Sequence, residues 1–108
     1  DDNRPTLTVT YPEPGVNREL PRILIGMHDY YSGLDLSSFT VTADFAIEGG
    51  KPGDNLASRF RDRGDGVREL VLTRPITSLA RSTLTVTVRD RQGNLSRVER
   101  TFTVSPPN

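Results

Sequence analysis

The chain has no cysteine and no tryptophan, one histidine (His28), one methionine and one lysine (Lys51). Without cysteine there is neither a disulfide framework nor a thiolate metal site. A lone histidine rules out two-histidine metal motifs, and any nucleophile triad would have to be built around His28. His28 falls inside a strand-like segment whose neighbours Met27 and Asp29 face the other way, so it is expected to be a partly buried structural residue, and no enzyme is expected. Net charge is also lacking: fourteen basic and fourteen acidic residues interleave, as in Arg61-Asp62-Arg63 and Arg89-Asp90-Arg91, which leaves no basic field for nucleic acid. No apolar run approaches the roughly 18 residues that span a bilayer, so no membrane insertion is expected. Sustained 3.6-residue periodicity, internal repeats and a glycine-rich phosphate loop before a helix are all absent. The opening Asp1-Asp2-Asn3-Arg4-Pro5 is not a signal peptide. The 108 residues, 33% of them apolar, suit one domain with a thin two-layer core.

What is present is period-two alternation. Leu7, Val9 and Tyr11 alternate with threonines in a first strand that Pro12-Glu13-Pro14-Gly15 ends. From Arg22 to Asp29 both parities carry apolar residues, as in a central strand covered on both sides. Ser38 to Ile47 sets Phe39, Val41, Phe45 and Ile47 against Thr40, Thr42 and Asp44. A glycine-containing loop, residues 49–55, leads to a weak edge-like strand with Leu56 and Phe60 and then to a turn at Asp62 to Gly66. Val67 to Thr73 is the next strand, and Pro75 to Ser82 crosses over with Ile76 and Leu79 as plugs. The stretch Ser82 to Val104 reads as a β-hairpin, with Leu84, Val86, Val88, Val98, Phe102 and Val104 on the buried face and Arg100 marking a bulge or edge. About seven strands at this spacing predict an all-β, two-sheet Greek-key sandwich over residues 6–104, flanked by linkers at 1–5 and 105–108. Its expected core includes Ile25, Phe39, Val41, Leu70, Leu72, Val86, Val88 and Phe102. An odd strand count places the two termini at opposite ends.

Two local patterns, Asp29-Tyr30-Tyr31-Ser32-Gly33-Leu34-Asp35 and Val86-Thr87-Val88-Arg89-Asp90-Arg91-Gln92-Gly93-Asn94, occur with a final Thr101-Phe102-Thr103-Val104 strand. Together they resemble the bacterial immunoglobulin-like domains of surface and secreted multidomain proteins, over roughly Pro5 to Val104. The chain departs from that pattern at Ala80-Arg81, where the family commonly has a glycine, and it lacks the cysteine pair and tryptophan of antibody domains. The resemblance implies an immunoglobulin-like sandwich serving as a non-catalytic spacer or interaction module. Its setting would be an exported bacterial protein, extracellular, on the cell surface or in the periplasm. The expected partners are neighbouring domains of the same polypeptide, and the isolated domain is expected to be monomeric. A carbohydrate- or protein-binding module and an accessory domain packed on a catalytic neighbour are the alternatives.

Tyr30 and Tyr31, in the loop after the second strand, are the binding candidates, since exposed rings stack on sugars or anchor protein partners. Asp29, Asp35, Asp90 and Asn94 carry the oxygens a calcium ion takes, and the loops that hold them are expected at one end. Turn chemistry accounts for the same residues, because Asp and Asn accept local backbone hydrogen bonds, and this is the preferred reading; no cofactor is required. Arg63-Gly64-Asp65 spells an integrin-ligand tripeptide, but so short a match is cheap and turn chemistry alone explains it, which is the preferred reading.

Overall fold

In a computed structural model, residues 4–29 and 33–107 are described. Among the described residues eight strands form two four-stranded sheets: β1 Thr6–Tyr11, β2 Gly15–Asn17, β3 Leu20–His28, β4 Leu34–Ala43, β5 Arg61–Gly64, β6 Val67–Ile76, β7 Leu79–Asp90 and β8 Leu95–Val104. One sheet runs β1-β3-β6-β5 and the other β2-β8-β7-β4. Apart from β2, this is the strand plan of a constant-type immunoglobulin sandwich. The alternation in the sequence places one parity of each long strand between the sheets. Ile23, Ile25, Met27, Leu70 and Leu72 from one sheet meet Val41, Leu84, Val86, Val88 and Phe102 from the other, and all eight residues expected in the core are buried. Edge-to-face ring pairs, Phe39 with Phe60 and Phe45 with Phe102, each at 5.8 Å between centroids, fill the space between the layers.

Several expectations are corrected. β1 ends at Tyr11 as expected, but a short strand not read from the sequence follows: after a cis Tyr11–Pro12 peptide the chain crosses to the other sheet, and β2 pairs in parallel with the end of β8. Asn17 holds that crossing by accepting from Glu13 N at 3.1 Å and donating to Glu13 O at 2.9 Å. The Tyr11 hydroxyl donates to Glu19 O at 2.6 Å. Burial, then the charges of Glu19 and Glu13, raise its pKa above the ordinary 10.0, so it remains a donor. Leu56 and Phe60 are not strand residues but flank a 3-10 turn over Ala57–Arg59, held by Asn55 Oδ1, which accepts from Val41 N and Ala57 N; the edge strand is β5, which follows. The link between the sheets at the expected crossover is only residues 77–78, because β6 extends to Ile76 and β7 begins at Leu79. β3 is central but covered on one face only, Arg22 being exposed and Leu24 half-buried on the other.

Arg100 marks no bulge, since Leu84↔Arg100 lies in unbroken register. Its guanidinium instead reaches Val9 O at 2.9 Å and covers the open side between β1 and β8. An inward-pointing charge on a strand edge disfavours addition of a further strand there. At the other end of β1, Pro5 O accepts from Ser96 Oγ, whereas Val104 pairs with both Leu79 and Asn17. β1 therefore starts beside the 90–94 turn and β8 finishes beside the 77–78 link, at opposite ends of a body 47 Å long.

Candidate functional site

The loop end was the place to look from sequence, and the structure brings its segments together. Leu34 pairs with Asp90, and Arg91 N donates to Gly33 O at 3.0 Å. Within this end each side chain has local work. Asp90, 2% exposed, accepts from Gln92 N at 2.9 Å, Asn94 N at 2.8 Å and Asn94 Nδ2 at 2.8 Å. Asp35 accepts from Ser37 N and Ser37 Oγ inside an irregular stretch of β4 between Asp35 and Thr40. Asp29 lines a different hollow, of about 360 Å³, with His28, Asp62 and Asp65. Among the described residues no three His, Asp or Glu side chains gather where they could hold a metal ion. Of the expected calcium quartet, Asp90 and Asn94 are hydrogen-bonded to each other. Tyr30 and Tyr31 lie outside the described residues.

His28 is exposed, not partly buried, because it falls on the outward parity of β3 opposite Thr6. Arg63-Gly64-Asp65 is not a free loop tip. Arg63 Nε lies 3.2 Å from Glu69 Oε1, and the left-handed backbone at Gly64, Asp65 and Gly66 turns β5 into β6. Gly66 is required there, since a Cβ at its φ of +78° would stand 2.3 Å from Met27 O, while its own carbonyl accepts Met27 N at 2.9 Å.

The outer face of the β1-β3-β6-β5 sheet carries a feature not identified from sequence. Arg59, Arg61 and Arg63 line a hollow of about 460 Å³ with Glu48, Glu69, Leu70 and Val71. Glu69 is buried beneath it, pinned between Arg63 and Arg22, whose Nη1 is 3.4 Å from Glu69 Oε2. Glu48 is occupied by Thr73, accepting from its N at 2.8 Å and its Oγ1 at 3.0 Å. Arg59 Nη1 donates to Glu48 O. Both carboxylates are thus spent, while the Arg61 side chain makes no hydrogen bond or ion pair with a described residue. Val71 stands 63% exposed beside them. The signal was the spacing Arg59-Phe60-Arg61-Asp62-Arg63, basic at every second position with Phe60 buried between; it was obscured by reading Asp62 to Gly66 as a turn.

No protein-family model and no curated protein matches the chain. Among solved structures it is similar to part of the endo-beta-1,4-mannanase from Thermotoga petrophila, with a TM-score of 0.66 and 12% identity over 99% of this chain and 21% of that one. It is also similar to CopC from Methylosinus trichosporium OB3b, with a TM-score of 0.53 and 14% identity over 89% of this chain and 86% of that one. The chain thus spans about a fifth of the mannanase chain. At these identities the likeness is one of fold. No helix among the described residues is long and apolar enough to cross a membrane. The sandwich is shared with an enzyme chain nearly five times its length and with a protein of nearly its own size.

Proposed function

We propose that this chain is a non-catalytic accessory module, of the bacterial immunoglobulin-like kind, that spaces or positions neighbouring domains of a larger exported protein. The observation that carries this reading is the path of the chain, which begins beside Ser96 and finishes beyond Val104 at the far end of the sandwich. Domains joined to either end are held apart by the length of β8. The likeness to a fifth of a mannanase chain supports the same reading, as a fold of this size found within a longer enzyme. Fluorescent labels at Pro5 and Ser105 are expected to report a separation on the order of 30 Å, nine strand steps, unchanged when folded domains are fused at both ends. A separation that collapses on fusion would count against a spacer.

The mannanase likeness also favours a second reading, a glycan-binding accessory module using Tyr30 and Tyr31. Retardation in gels cast with β-mannan, lost on Tyr31→Ala, is its expected sign; unretarded migration removes it.

A further inference from the structure

We propose that the free edge of β5 is a docking strand for an extended acidic peptide segment, which adds to the β1-β3-β6-β5 sheet and sets its carboxylates against Arg61 and Arg63. The proposal is independent of the spacer reading, because it concerns a lateral edge and not the two ends.

Three observations carry it. β5 pairs with β6 alone and stands last in its sheet, so its other edge has no strand among the described residues. That edge offers backbone hydrogen bonds to an added strand. Arg61 and Arg63 stand two residues apart in β5, about 6.6 Å along an extended chain, and both line the same hollow. A peptide strand laid beside β5 presents alternate side chains at that same repeat, so acids at every second position fall opposite the guanidiniums. Finally, the carboxylates of this face are already engaged, Glu69 by Arg22 and Arg63 and Glu48 by Thr73. The remaining N–H groups of the arginines, each guanidinium having five, are left for an incoming acid.

The occupant is a foreign segment. A second copy of this chain has no two acidic residues spaced i, i+2 and so cannot match the repeat. An acidic polysaccharide would satisfy the guanidiniums but could not continue the ladder along a strand edge. Exposed Val71 adds an apolar patch against which the peptide's acidic stems rest.

The test uses the whole chain and a peptide of about eight residues alternating valine and glutamate, long enough to run past β5. Amide exchange over residues 61–64 is expected to slow when the peptide is added, and affinity to fall in about 0.5 M salt, where exposed charges are screened. Arg61→Gln, which removes the charge without setting a carboxylate opposite Glu69, is expected to leave the melting curve in place and weaken the peptide about tenfold or more. Unchanged exchange over 61–64 at millimolar peptide overturns the proposal, as does equal affinity for Arg61→Gln. An oligouronate that binds equally well without slowing those amides would reassign the groove to anionic glycans.

Discussion

With 2% of its surface exposed, Asp90 would be a costly buried charge were its oxygens not occupied. They accept from Gln92 N, Asn94 N and Asn94 Nδ2, all within a turn whose Gly93 has φ +90°. The carboxylate thereby holds the turn closed, with Asn94 as its donor partner. Asp90→Ala is expected to cost about 1 to 3 kcal/mol, the price of orphaned buried donors, equally in millimolar calcium and in chelator. A loss that disappears when calcium is chelated would show instead that a cation had been bound there. The turn chemistry was legible in Asp90-Arg91-Gln92-Gly93-Asn94 because each of those roles is local. Arg100 was half legible: its polarity on an apolar face flagged it, but the acceptor it reaches, Val9 O, lies on a strand 91 residues away.

Among the elements, β5, β6 and β3 are tied across their outer face by one carboxylate, Glu69, with Arg63 on one side and Arg22 on the other. The two arginines are more than half exposed and Glu69 is not, so either arginine alone compensates it while the other is screened by water. Arg22→Ala and Arg63→Ala are each expected to cost under about 1 kcal/mol in urea titrations, whereas the double variant costs about 3 kcal/mol because Glu69 is then buried without a partner. Strictly additive losses would mean that the pairs are independent. The long strands β4, β7 and β8 were readable because one parity of each is buried and the other polar. The three-residue β2 was not, since only Asn17 of it is buried and its partner lies in parallel about 87 positions on. Leu56 and Phe60 misled for a related reason: buried residues four apart fit a tight turn as well as a strand, and the choice was made by Asn55, whose side chain caps that turn. The arginine hollow needed the pairing of β5 to β6, which no local pattern contains.

For the whole molecule, the direction of the strands relative to the two ends determines how it meets tension. β1 begins beside the 90–94 turn, and β8 ends beside Asn17 and Leu79. Pulling at Pro5 and Ser105 therefore drives β2 and β8 past one another along their length. The parallel pairs Gly15↔Phe102, Val16↔Thr103 and Asn17↔Val104, with Ser105 N donating to Asn17 O at 2.9 Å, must break together. Handles at Ser78 and Ser105 instead open β7 from β8 pair by pair, starting at Leu79↔Val104. Forced unfolding follows the unfolding barrier, not equilibrium stability, so the first geometry is expected to need the greater force. Asn17→Ala, which removes the side chain that anchors β2 to Glu13, should narrow the gap between the two geometries. It should cost about 1 to 2 kcal/mol in denaturant, as lost part-buried hydrogen bonds do. Equal forces for the two handle positions would mean that the β2–β8 pairing carries no tension, and a spacer would then have to resist force through some other contact.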